Sequence, residues 1–317
     1  MKDNNVSRTA EIVAAMRAKH TMYDQPVVFE DPYAIDFCNK QWQAMLCAGI
    51  LPWKVMDRVA RGMQSIALEV VGRARYTEDL LDLAISKGVT QYVILGAGFD
   101  SFCLRRPDLA SSLSVFEVDF PSTQTAKRQQ MLKNYGALPS NLHFVHVDFE
   151  QETLADGLAR SDFDPSEGTF FSWLGTTMYL SHAAVTSTLR SLVSYTASNS
   201  ELVFDYYTAP KLMVALLALP RAQRFVTRIA RQGEPFIGFY QPEEISELLS
   251  SNGLRLLENF SPQRQNKRYF EHRSDTAKTF RRGYFAHALV EWCVFYKRRR
   301  GKLWLKLETV VKTKLAY

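Results

Sequence analysis

The residues best placed to do chemistry lie between positions 91 and 150. Tyr92-Val93-Ile94-Leu95 reads as a short buried strand, and Gly96-Ala97-Gly98-Phe99-Asp100-Ser101 as the glycine-bearing turn that leaves it. Two glycines at the carboxyl end of a parallel strand let a ligand lie directly against backbone. A second expected strand ends in Glu117-Val118-Asp119-Phe120, which places a carboxylate 23 residues after Gly96. Open α/β sheets set an acid against ribose hydroxyls at an offset of roughly 20 residues. A third ends in Val147-Asp148-Phe149 and brings another carboxylate and an aromatic face to the same edge. Either aspartate could instead cap the helix that follows it. Three consecutive strands ending in ligand-capable groups favour a binding edge.

The turn also discriminates between cofactors. A nicotinamide dinucleotide needs a third glycine, so that the helix packs close with its amino end on the pyrophosphate. Ser101 occupies that position, and Asp100 before it puts negative charge where a diphosphate would sit. S-Adenosyl-L-methionine carries no phosphate, and its zwitterionic amino acid and sulfonium tolerate a nearby acid, so the turn favours this cofactor.

Positioning these groups requires an alternating scaffold. Short apolar runs predict strands at 92–95, 114–118, 142–147, 169–173, 201–205, 254–258 and 288–296, with helices over 121–134, 150–159, 182–197 and 242–251. The expected fold class is α/β, a seven-stranded, mostly parallel, doubly wound sheet. Ahead of it, residues 1–70 form an N-terminal helical cap, including a helix over 6–20 with Ser7 as a plausible cap and an apolar stretch from Trp42 to Ile66. A helix over 71–87, with Arg73 and Arg75 at its start, leads into the core at 71–296. The segment at about 207–240 interrupts the alternation and reads as an inserted lid.

Composition narrows the function classes. The 317 residues are 46% hydrophobic and 23% charged, which is ordinary for a globular chain. Cys38, Cys47, Cys103 and Cys293 form no CxxC pair, so neither a zinc site nor a disulfide framework is indicated, and reduced cysteines suit a cytoplasmic protein. Net charge is +6, yet residues 297–317 alone hold eight basic side chains against Glu308, leaving the rest at −1. The high isoelectric point therefore belongs to a tail, and the body gives no reason to expect a nucleic-acid partner. Lys302 to Thr309 alternates in the manner of a strand or a surface segment; contact with an anionic membrane or a protein is one expectation for it, solvation the other.

Seven motifs in order carry a resemblance: Ser7-Arg8-Thr9-Ala10, Asp31-Pro32-Tyr33, Arg73-Ala74-Arg75-Tyr76, Val93 to Asp100, Phe116 to Pro121, Val147-Asp148-Phe149 and Met178-Tyr179-Leu180. Over residues 7–296 the chain resembles the leucine carboxyl methyltransferase superfamily, in particular its bacterial branch related to polyketide carboxyl O-methyltransferases. The resemblance implies a class I methyltransferase (Rossmann-like) fold with S-adenosyl-L-methionine above the strand ends. It implies cofactor contacts from Arg73, Gly96, Ala97, Gly98, Asp100, Asp119, Phe120, Asp148 and Phe149. Among these, Arg73 would pair with the cofactor carboxylate, Asp119 with ribose, and Asp148 and Phe149 with adenine. Many relatives carry a glutamate five residues before the tyrosine of the last motif, where this chain has Leu174.

The expected reaction is methyl transfer to a small-molecule carboxylate, in secondary metabolism. Such an acceptor is ionised at neutral pH and needs no base, whereas a phenol, with a pKa near ~10, profits from one. His143, His146, His182 and His287 are the candidate bases, with His182 nearest the expected acceptor site. Tyr179, His182 and Tyr206 are the expected catalytic or acceptor-positioning residues; no metal is expected. Methylation of a hydroxyl or nitrogen, or a non-catalytic cofactor-binding role suggested by Leu174, are the alternatives.

Overall fold

The computed structural model describes residues 8–49, 62–148, 151–209, 237–291, 294–299 and 302–307. Seven strands make one sheet: β1 (Gln91–Leu95), β2 (Ser114–Asp119), β3 (Leu142–His146), β4 (Thr169–Trp173), β5 (Glu201–Tyr207), β6 (Leu254–Phe260) and β7 (Gly283–Val290). Their order is β3-β2-β1-β4-β5-β7-β6, and only β7 runs against its neighbours. The described helices are α1 (Arg8–Tyr23), α2 (Lys40–Cys47), α3 (Met63–Ser86), α4 (Phe102–Arg105), α5 (Pro121–Tyr135), α6 (Leu154–Leu158), α7 (His182–Ser194), α8 (Pro242–Ser250) and α9 (Pro262–Gln265), with 3-10 turns at Ala34–Phe37, Pro107–Leu109 and Thr177–Tyr179 and a π turn at Asn266–Phe270. None is long and apolar enough to cross a membrane.

β1 and β4 are buried at every residue, which explains their unbroken apolar runs: both faces of the sheet are covered. Val93, Leu95, Phe171 and Phe204 point to the face under α7 and α8; Tyr92, Ile94, Phe170 and Val203 point to the face that buries Tyr76, Leu81 and Ala84 of α3. The chain winds outward from β1 to β3, then returns past β1 to β4. An open sheet of this kind binds its ligand outside the carboxyl ends of its strands at such a reversal, here between β1 and β4. At this edge α1 packs through Ala14, Ala15 and Ala18 against Phe37, Phe99 and Met131.

Several boundaries differ from the sequence reading. α3 begins at Met63 and runs through the expected cap boundary at residue 70, so Arg73 lies mid-helix. Within α3 the missing side chain of Gly72 makes room for Phe270, 3.2 Å from where a Cβ would stand. The expected strand 288–296 fuses two elements, because β7 ends at Val290, and β8 (Val294–Arg299) leaves to pair with β9 (Lys302–Leu307) in a separate antiparallel hairpin. The run is interrupted by the charge of Glu291 directly after Val290, and the sequence reading passed over it. The expected helix over 150–159 is confined to α6. Ser7, the stretch 50–61, Phe149, most of the expected lid (210–236) and residues 308–317 lie outside the described residues.

Candidate active site

Gly96 and Gly98 adopt φ of +66° and +51°, the left-handed region in which a side chain is strained. A Cβ on Gly96 would stand 2.4 Å from Thr176 Cγ2, and one on Gly98 3.2 Å from Ala10 Cβ. The β1 turn is thus wedged between the β4 turn and α1. Asp119, half-buried at the end of β2, accepts hydrogen bonds from Gly98 N (2.5 Å) and Phe120 N (2.6 Å). It links the ends of β1 and β2; the N-cap of α5, Phe120, makes no side-chain cap bond. Ala97 is buried, and its N–H bonds Val118 O (3.2 Å).

Asp100 lies on the same turn, half-buried. It accepts from Phe102 N (2.7 Å), turning the chain into α4. Burial opposes its charge, but the cations Arg17, Arg105 and Lys127 hold the carboxyl below its usual range. Asp148, half-buried, accepts from the Gln151 side chain (3.0 Å).

Arg73 sits in a buried ionic cluster that the sequence did not announce. Its Nη1 donates to Asp205 Oδ2 on β5 (2.7 Å) and lies 3.8 Å from Glu69 Oε1 one helical turn earlier. Asp205 Oδ1 accepts from Gly175 N (2.7 Å), its carbonyl accepts from Thr177 Oγ1 (2.6 Å), and Tyr207 OH donates to Glu69 Oε2 (2.7 Å). Gly175, at φ +73°, presents bare backbone to the guanidinium: a Cβ there would be 2.6 Å from Arg73 Nη2. Burial pushes Glu69 up to about 7 against the pull of Arg73. The sequence reading ended this strand at Asp205, but β5 continues to Tyr207, so Asp205 lies within the strand. Leu174, where the resemblance leads one to expect glutamate, packs against the apolar cluster that holds Ile94 and Phe170, and the acid that hydrogen-bonds Arg73 is Asp205 of β5.

A second ionic chain fastens α1 to the β1 turn. Arg17 donates to Asp31 (2.8 Å) and to Phe99 O (2.5 Å); Ser101 Oγ donates to the same Asp31 oxygen (2.7 Å); Arg105 donates to Ser101 Oγ (3.0 Å) and, through both terminal nitrogens, to Glu78 (2.9 and 2.6 Å). Asp31 stood in a motif of the sequence; its partners, 14 and 70 residues away, did not.

On the acceptor side, Tyr179 is half-buried in the 3-10 turn after β4. The chain returns from residue 236 directly onto that turn: Ile237 N and Gly238 N bond Met178 O (2.8 and 2.9 Å), and a Cβ on Gly238 would meet Thr177 O at 2.2 Å. His182, exposed at the start of α7, stacks on Tyr240 (4.4 Å) and reaches Phe239 O through Nε2 (3.0 Å). A carbonyl only accepts, so Nε2 carries the hydrogen. Tyr206 does not join this edge. Strand alternation turns it to the opposite face from Asp205 and Tyr207, where it is fully buried, donates to Asn259 (2.8 Å) and stacks on Tyr284. Burial pushes its phenol up, as suits a core residue. Among the other histidines, His287 pairs with Glu201 at the amino-terminal end of β5, and His143 stacks on Phe116.

The edge therefore offers an arginine suited to a carboxylate, a glycine turn and an acid suited to a diol, all at the reversal of the sheet. This donor set fits the aminoacyl and ribose parts of S-adenosylmethionine. Comparison with known proteins agrees. The family described as leucine carboxyl methyltransferase matches residues 10–193. YktD of Bacillus subtilis, provisionally described as an S-adenosyl-L-methionine-dependent methyltransferase, is 33% identical over 306 residues, covering 91% of this chain and 99% of its own. A Frankia alni protein with the same provisional description is 30% identical over 64% of this chain and 69% of its own. Among solved structures, a DUF574 family protein from Streptomyces avermitilis aligns with TM-score 0.56 at 15% identity over 90% of this chain and 98% of its own. A Thermobifida fusca protein, also provisionally termed a methyltransferase, aligns with TM-score 0.50 at 15% identity over 89% and 94%. With a family match over more than half its length and a relative matched nearly end to end, the chain belongs to the leucine carboxyl methyltransferase family.

Proposed function

We propose that this chain, an S-adenosylmethionine-dependent methyltransferase, methylates the carboxylate of a small molecule. Arg73, the Gly96–Gly98 turn and Asp119 would hold the cofactor, with Ala97, Phe120, Asp148 and Phe149 around it. When bound, the cofactor supplies a methyl group already activated by its sulfonium. What remains for the protein is to align the acceptor oxygen and exclude water. Tyr179 and the backbone at Gly238–Phe239 would border the acceptor.

The observation that carries the carboxylate reading is His182. Its Nε2 hydrogen is directed at the Phe239 carbonyl, so that nitrogen is not disposed to take a proton from a hydroxyl acceptor. A carboxylate needs no such help. The test is incubation with methyl-labelled S-adenosylmethionine and a pool of small carboxylic acids, followed by mild base. Release of label supports an ester; base-stable product would instead point to a hydroxyl or nitrogen acceptor. Because Asp119 stands where ribose hydroxyls would pair, Asp119→Ala should weaken cofactor binding by about tenfold or more in calorimetry. An unchanged dissociation constant would put the pocket elsewhere.

A further inference from the structure

At the edge of the sheet two carboxylates face one guanidinium. Asp205 engages Arg73 directly; Glu69 stands back, with Oε1 3.8 Å from Arg73 Nη1 and lacking a hydrogen-bond partner, while Oε2 accepts from Tyr207 OH. Glu69 and Asp205 are completely buried, and Arg73 is 6% exposed. The groups facing Glu69 come from three directions: Arg73 on its own helix, Asp205 and Tyr207 on β5, and on β7 Gly283, where a Cβ would lie 3.0 Å from Glu69 Cγ. α1 meets α3 through Met16, Ala67 and Val70. With both acids ionised the cluster is net negative and shut off from water; with Glu69 protonated it is neutral.

This cluster constrains how a ligand carboxylate is received. If Arg73 holds the aminoacyl carboxylate of the cofactor, as in the function proposed above, a third negative group joins Asp205 and Glu69 around a single cation. In a poorly solvated site like charges at such range disfavour one another strongly. We propose that Glu69 is a positioning residue that takes up a proton together with the methyl donor, its neutral form allowing Arg73 to serve Asp205 and the donor carboxylate at once. The proton comes from solvent, no bond to the donor forms or breaks, and proton and donor favour each other reciprocally. Burial already holds the free Glu69 near neutrality, at about 7, so the linkage falls within the working range of an enzyme.

The donor's own amino group titrates near ~8, so wild type must be compared with Glu69→Gln, which mimics the neutral acid. Calorimetry at pH 8 in buffers of different ionisation enthalpy should show about one more proton taken up per S-adenosylmethionine bound by wild type than by the variant. Between pH 6 and pH 8.5, wild-type affinity should fall about tenfold more than that of Glu69→Gln. Tyr207→Phe gives an independent arm: losing the donor that favours ionised Glu69 should move the wild-type inflection to higher pH. Equal proton uptake in wild type and Glu69→Gln, or an inflection that Tyr207→Phe leaves in place, would overturn the inference alone. Failure of S-adenosylmethionine to bind at any pH would overturn the cofactor assignment on which it rests.

Discussion

Gly96 shows how much one missing methylene carries. Its φ of +66° and the Thr176 methyl group that would lie 2.4 Å from a Cβ impose two separate penalties on any larger residue. Gly96→Ala should lose about 1–3 kcal/mol from the backbone conformation alone, and more from the overlap. Combining it with Thr176→Ser removes the obstructing methyl group and should recover the second part but not the first. Urea unfolding of both variants measures the split; full recovery in the double variant would mean that the conformation carries no strain. Gly96, Gly98 and Asp119 were legible in the sequence because turn and strand-end chemistry is written locally, within a strand and its exit. Glu69, Asp205 and Tyr207 were not, because their roles exist only in contacts spanning 132 and 138 residues. Tyr206 misled for the opposite reason: it lies beside Asp205 in sequence, and alternation along β5 sends it into the core.

At the scale of elements, the pattern of apolar runs located the strands of the sheet and missed mainly where an element starts before its expected bound or changes partner, as at Met63 in α3 and after Val290. It also could not show that α1 is fastened to the β1 turn. That junction depends on Asp31, fully buried and set between Arg17 and Arg105. Taking one charge out of a buried ionic chain leaves its partners uncompensated. Asp31→Asn should therefore cost about 3–5 kcal/mol in urea unfolding. Asp108→Asn, which breaks the exposed pair with Arg106, should cost less than about 1 kcal/mol. Comparable losses in the two variants would show that α1 is not held to the turn through charge. Donor binding should weaken in Asp31→Asn as well, since Arg17 fixes the carbonyl of Phe99 next to Gly98.

At the scale of the whole molecule, the amino-terminal extension is joined to a segment near the other end of the described chain by Asp24. This carboxylate, just past α1, accepts from Lys19 Nζ, from His20 Nδ1 (2.9 Å) and from Arg273 Nη1 (3.3 Å). His20 in turn accepts from Val28 N through Nε2 (2.9 Å), so the ring donates from Nδ1, and this fixes its tautomer. Burial opposes the charge on Asp24, but the hydrogen bonds from His20 and Lys19 prevail and hold its pKa at about 2. The unfolded chain, with an ordinary aspartate near ~3.9, binds more protons below pH 4, so stability rises with pH through this window. The contribution is complete above about pH 4 and is lost as pH falls toward 2; the gap between the folded and unfolded values corresponds to about 2.5 kcal/mol. Asp24→Asn should thus be less stable than wild type at pH 7. Its unfolding free energy should also be flatter between pH 4 and 2, where the wild-type curve descends to meet it. Urea unfolding across that range decides the matter: two curves that stay parallel would show that Asp24 does not couple the extension to the loop before β7 through its charge.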